Sequence, residues 1–204
     1  MTIRLGVLIS GSGTNLQAII DAIDAGTLDA EVSVVISNHE SARGLDRARK
    51  HNMAAVFIDR SNFSSPREYN ARIRDELRDR GVDWVVMAGY MRLLGPEVLQ
   101  FFPNRVINLH PALLPSFPGA SGIKDAFDYG VKMTGVTVHF ANEKFDEGPI
   151  LAQEAIPIAE DDTVVTLEAK IHEVEHRLLP EALGLIADGR VEVVGRKVKI
   201  APKA

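Results

Sequence analysis

The sequence contains no cysteine. That absence excludes a disulfide framework, a thiolate zinc site, an iron–sulfur cluster and a cysteine nucleophile. Long apolar runs are missing too. No stretch approaches the ~18 residues a membrane span needs, and the short run from Leu5 to Ile9 is followed by no small-x-small cleavage site. Nor is there an excess of basic charge. The 23 Lys and Arg against 28 Asp and Glu leave a formal net charge of -5, which speaks against broad nucleic-acid or membrane-surface binding. A cytoplasmic protein without nucleic-acid or membrane partners is the expectation. No internal repeat, low-complexity tract or flexible linker divides the 204 residues, of which 46% are apolar. A single domain long enough to bury roughly 70% of its unfolded surface is therefore expected.

What is present alternates between strand-like and helix-like segments. Residues 3–10 form a near-continuous apolar run, the signature of a strand buried on both faces. Leu16, Ile19, Ile20 and Ile23 follow at helical spacing. Residues 31–37 read as strand, 43–51 as helix and 54–58 as strand. Ser65-Pro66-Arg67-Glu68 supplies an N-cap, a proline at the first helical position and a capping-box acid. The helix it opens carries Tyr69, Ile73 and Leu77 and stops at Gly81. Two more buried strands occupy 83–88 and 105–109. This order predicts an α/β fold, a mostly parallel, doubly wound, Rossmann-like sheet with helices on both faces. The last third changes character. Residues 135–140 alternate, 150–155 can pair with them across the Asp146-Glu147-Gly148-Pro149 turn, and an antiparallel element is expected there. A helix from Thr163, with Leu167, Ile171, Val174 and Leu178 on its face, should bend at Pro180 and end at Gly189. Residues 191–194 and 197–200, either side of Gly195-Arg196, read as a terminal hairpin.

In such sheets, ligands bind outside the carboxyl ends of the strands. Two candidate sites lie there. Gly11-Ser12-Gly13-Thr14-Asn15 joins the first strand to the first helix. Its glycines permit a tight turn, and the free N–H groups of the helix's first turn favour a phosphate. Leu16 stands where a dinucleotide fingerprint needs its third glycine, and no Gly-Lys-Ser/Thr follows for a P-loop. A tight turn without a ligand is the alternative.

Asn108 and His110, two apart at the end of the 105–109 strand, point to the same side of an extended backbone. A carboxamide and a protonated imidazole can both donate to a developing oxyanion, or the ring can shuttle a proton. Such a histidine needs an anionic partner to hold its orientation and favour its charged form. Asp146, in the turn after the strand containing His139, can supply it. The alternative is an Asn that caps a turn beside a hydrogen-bonded edge histidine.

Downstream, residues 110–119 thread three further prolines and a glycine through an apolar stretch, a stiff wall for a site. Together with Gly135–His139 and Asp146-x-Gly148-Pro149-Ile150, this segment resembles the formyltransferase family that uses 10-formyltetrahydrofolate. The Ser10–Asn15 loop makes the branch that formylates glycinamide ribonucleotide in purine biosynthesis the best match. The resemblance runs from Ile3 to about Gly189. It implies 10-formyltetrahydrofolate as co-substrate, no metal, small-molecule partners, a monomer or homodimer, and direct attack of an amine on the formyl carbon. It further implies that Asn108, His110 and Asp146 are the catalytic trio and that Gly11, Ser12, Gly13, Thr14 and Asn15 grip the substrate phosphate. Glu175 would contact the ribose or glycinamide part. Folate would be received by Met91, Arg92, Leu93 and Leu94, by Asn108, and by Arg67 as the basic residue early in its helix. Residues 1–105 then form a phosphate-binding half, 106–190 a catalytic and folate-binding half, and 191–204 a terminal hairpin. Two departures stand out: Ala112 replaces a serine often found after His-Pro, and Ser121 replaces a histidine often found after Pro-Gly-x.

His172-Glu173-Val174-Glu175-His176 matches the H-E-x-x-H zinc pattern. Leu179 stands where the extended form has glycine, no third histidine follows, and Asp188 or Glu192 would have to serve instead. An ordinary amphipathic helix accounts for Ile171, Val174 and Leu178. The rival functions are a formyltetrahydrofolate hydrolase, a tRNA formyltransferase, a non-catalytic nucleotide-binding module and a nicotinamide oxidoreductase. The first two are expected to need an additional N-terminal module or a basic C-terminal domain. The last needs the missing third glycine.

Overall fold

Apolar runs and punctuating glycines translate directly into elements in the computed structural model, which describes residues 2–203. Residues 1 and 204 of the expected segments lie outside it. The chain divides into two compact units, Met1–Ile107 and Asn108–Ala204.

In the first unit, strand β1 (Ile3–Ile9) is followed by helix α1 (Thr14–Asp24), β2 (Ala30–Ser37), α2 (Arg43–Lys50), β3 (Ala55–Phe57), α3 (Pro66–Asp79), β4 (Trp84–Met87) and a short α4 (Pro96–Leu99). The strands lie in the order β3-β2-β1-β4, with β1 parallel to both β2 and β4, and β2 parallel to β3. The order reverses direction at β1, so its carboxyl end is the topological switch point where parallel sheets open a crevice. Leu5, Val7, Leu8 and Ile9 are wholly buried, as a strand covered on both faces requires. On α1, Leu16, Ile19 and Ile20 are buried, while Ile23 is only half-buried. The Ser65 hydroxyl accepts from the Glu68 N–H and caps α3. The Glu68 carboxylate, however, reaches one residue further back than a capping box requires, accepting from the N–H and hydroxyl of Ser64.

The boundary between the units falls inside β5 (Val106–His110). The second unit continues with α5 (Gly122–Tyr129), β6 (Met133–Phe140), β7 (Ile150–Pro157), α6 (Val164–Ala187), β8 (Val191–Val194) and β9 (Lys197–Ile200). β5, β6 and β7 lie side by side in that order. β6 and β7 pair antiparallel, and β8 with β9 forms the terminal hairpin. The architecture is α/β, with a mostly parallel sheet and an antiparallel addition in the last third.

Two helices, α4 and α5, have no counterpart among the expected elements. Val136 to Phe140 of β6 are all buried, so the face of Thr137 and His139 is covered as well as the apolar one. On α6 the buried stripe is Leu167, Ile171, Glu175, Leu178, Leu179, Ala182, Leu183 and Ile186, with Val174 only half-buried. An acid thus occupies a core-facing helical position, and the helix runs on through Pro180 as one element. Among the described residues, no helix is long and apolar enough to cross a membrane.

Candidate active site

At the end of β5, Asn108 and His110 face the same way, and the loop between β6 and β7 brings Asp146 to both. Asn108 Nδ2 donates to Asp146 Oδ1 at 3.1 Å. His110 Nδ1 lies 3.4 Å from Asp146 Oδ2, with both side chains almost wholly buried. The same Oδ2 accepts the Gly119 N–H at 2.8 Å. His110 Nε2 lies 2.8 Å from the Phe117 carbonyl, which can only accept. Both ring nitrogens of His110 therefore face acceptors, and its imidazolium form donates to each.

His139 joins this group, a contribution the sequence reading did not assign. Its Nε2 is 3.0 Å from Asn108 Nδ2 and 3.5 Å from Asp146 Oδ1. Its Nδ1 meets the Phe140 carbonyl at 3.0 Å, which fixes a proton on that nitrogen. The signal for it was the polar pair Thr137 and His139 sharing one side of an otherwise apolar strand.

Burial is the strongest influence on the Asp146 carboxyl and favours the neutral acid. The close approach of His139, the Gly119 N–H and the ring charges of His110 and His139 together outweigh it and hold the pKa below its ordinary value. Asp146 is thus an ionised group in a dry surrounding, matched by donors on every side. Its backbone sits at φ 53°, the left-handed region that non-glycine residues seldom adopt. Two residues on, Gly148 has no room for a side chain, since a Cβ there would lie 1.6 Å from the Phe140 carbonyl oxygen.

In the first unit, the loop 11–15 leaves the carboxyl end of β1 at the switch point. Gly13 precedes α1 at φ 69°, and a Cβ on it would lie 2.6 Å from Gly44 Cα. As a glycine at the N-cap, Gly13 supplies no side-chain cap to α1. Arg47, from α2, donates to the Ser12 carbonyl at 2.9 Å and to Gln17 Oε1 at 3.0 Å. It sets a cation beside the loop from a helix 35 residues beyond Ser12, a distance over which sequence spacing carries no signal. The Ser10 hydroxyl bonds Asn38 Oδ1 and receives the Met91 N–H at 2.9 Å, so residues 91–94 start beside the same strand end. Met91 and Leu93 are exposed and Leu94 is buried. Arg92 lies over the Tyr69 ring, with 5.8 Å to its centroid. Arg67 is mostly exposed, with Glu97 of α4 at 3.8 Å.

Glu175 accepts from His172 Nδ1 at 2.8 Å, and His172 Nε2 is 3.6 Å from Glu168. The two nitrogens of His172 are thus both turned to carboxylates. Among the described residues, no group of three or more His, Asp or Glu is placed to hold a metal ion.

An amide, two imidazoles and an ionised carboxylate meet at the strand ends of an α/β fold, and comparison with known proteins supplies the class. Residues 3–183 match the model of the formyl transferase family, and the chain belongs to that family. Among its relatives, the phosphoribosylglycinamide formyltransferase of Haemophilus influenzae is 39% identical over 190 residues, 93% of this chain and 90% of the relative. The glycinamide ribonucleotide transformylase 1 of Symbiobacterium toebii superposes with a TM-score of 0.97 at 47% identity, covering 98% of this chain and 95% of that one. The trifunctional purine biosynthetic protein adenosine-3 of Gallus gallus is 39% identical over 94% of this chain, which spans only 19% of its length.

Proposed function

We propose that the chain transfers the formyl group of 10-formyltetrahydrofolate to the amine of 5-phosphoribosylglycinamide, a step of purine biosynthesis. The observation that carries this reading is the convergence of Asn108, His110 and ionised Asp146 in one buried cluster. The amine attacks the formyl carbon and forms the new C–N bond. The tetrahedral intermediate then collapses with cleavage of the bond to folate N10, and the proton lost by the amine ends on that nitrogen. No acyl-enzyme is required. Asn108 and the His110 imidazolium stabilise the oxyanion; one such donor is typically worth ~3 kcal/mol of barrier. Asp146 holds His110 aligned through its Oδ2 and relays the proton.

In this reading the Phe117 carbonyl, 2.8 Å from His110 Nε2, is the contact that a formyl oxygen replaces. Binding of the formyl donor exchanges one carbonyl oxygen for the other. Asn108 in turn gives up the contact to His139 or to Asp146. The loop 11–15 with Arg47 receives the substrate phosphate through main-chain N–H groups and a cation. Met91, Arg92, Leu93 and Leu94 receive the folate, with Arg67 near its acidic end, and Glu175 takes the ribose or glycinamide hydrogen bonds.

The test is folate release by the purified chain with and without 5-phosphoribosylglycinamide. Amine-dependent release, with formylated ribonucleotide as product, is the expected result. Equal release without the amine means that water is the acceptor and the chain is a hydrolase.

A further inference from the structure

We infer that Arg196, in the turn of the C-terminal hairpin, is a positioning residue for Asp146. The inference rests on the formyl-transfer reading and assigns a role to an element that reading leaves unused. Asp146 is held in a left-handed backbone conformation, which costs an L-residue free energy and persists only where its surroundings over-determine it. The carboxylate end is held by Asn108, Gly119 and the two rings. On the main-chain side, two restraints act on the residues that follow. Gly148 closes against the Phe140 carbonyl, and the Glu147 carbonyl accepts from Arg196 Nη1.

That guanidinium comes from 49 residues away in sequence. Gly195, at φ 61°, fills the first position of the two-residue turn between β8 and β9 and leaves Arg196 at the tip. The hairpin buries little of itself, with Val194 and Ile200 both exposed, so core packing does not account for it. Arg196 and Asp146 also line one cavity of about 240 Å³ together with Pro115, Pro118, Phe145 and Gly148. A bond to the carbonyl of the residue that follows Asp146 restrains the turn that carries the carboxylate, and misplacement by about 1 Å can cost ~100-fold in rate.

The experiment compares the full chain with Arg196→Ala, Arg196→Lys and, as a control on the same hairpin, the exposed Lys199→Ala. It measures kcat, both KM values and the pH–rate profile, with amide exchange at residues 146–148. Arg196→Ala should lose about tenfold or more in kcat, keep the KM for the amine within about twofold and exchange those amides faster. Its acid limb should move to higher pH, as Asp146 loses the donors that keep it ionised. Arg196→Lys should recover most of the rate, because a single donor serves a single carbonyl. An unchanged kcat in Arg196→Ala, a loss that lysine fails to restore, or an effect confined to KM overturns the inference. A wild-type chain with no formyl transfer sinks the underlying reading instead, and the exchange at 146–148 then decides whether Arg196 holds the loop.

Discussion

In the first unit, residues 11–15 present main-chain N–H groups, and their shape depends on where glycine permits the backbone to go. In the second unit, the cluster around Asp146 is made of four side chains, and the backbone there is bent to suit them. The two regions should therefore fail differently. Where main chain builds the site, the damaging change is an added Cβ, and its cost falls on stability and binding together. Where side chains build it, removing one charge should leave the fold standing and stop the proposed chemistry.

The largest effect expected from this contrast is at Asp146. Asp146→Asn should lower kcat by about 100- to 1,000-fold, the scale of one preorganised electrostatic contribution. The KM for the ribonucleotide should change little, and circular dichroism should be unaltered. A kcat within threefold of wild type would remove Asp146 from the chemistry. The pH dependence of stability follows from the lowered pKa. The contribution of ionised Asp146 is complete above the unfolded carboxylate range, near ~4, and is lost as pH falls through the lower folded value. Denaturant midpoints of wild type and Asp146→Asn should therefore differ at pH 6 and converge toward pH 2.

Gly13→Ala is the matching test in the first unit, with a smaller effect on turnover. The positive φ alone costs about 1–2 kcal/mol, and the new Cβ would meet Gly44 Cα, a backbone atom that cannot swing aside. A loss of about 2 kcal/mol or more in urea denaturation is expected, with a raised KM for the ribonucleotide and a kcat within a few-fold of wild type. Unchanged stability and KM would mean that the loop tolerates a side chain and that its shape is not what binds.

The same contrast explains what the sequence disclosed. Local features were legible: the apolar run of β1, the Ser65 cap and Pro66 of α3, the glycines at 11 and 13, and the hairpin around Gly195. Each is dictated by residues within one or two turns of chain. The trio could be named because Asn108 and His110 share a strand end and Asp146 lies in a turn, and because the family resemblance joined them. His139 was left out since its meeting with Asn108, across 31 residues, depends on β6 lying next to β5. Arg47 was missed for the same reason. α5 gave little warning, as a helix of eight residues following a Pro- and Gly-rich segment offers barely two turns of periodicity. Glu175 is named by the family resemblance alone, and the periodicity puts Val174 on the buried face that Glu175 occupies.

That buried acid supplies the smallest effect. Glu175 belongs to the buried stripe of α6 and accepts from His172, whose side chain is 41% exposed. The hydrogen bond to Glu175 raises the His172 pKa first and most, burial opposes it, and the charges of Glu175 and Glu168 add to the rise. A raised histidine stabilises the fold fully below ~6.5 and loses that contribution as pH climbs through its folded value. Solvent at His172 keeps the contribution below about 1 kcal/mol, so stability curves will barely register it. Proton NMR will. The His172 ring should titrate above ~6.5 in the wild type and fall toward that value in Glu175→Gln. If the ring titrates at the same pH in both, Glu175 is held by something other than the histidine, and a side-chain site in the second unit is not kept in order by paired charge alone.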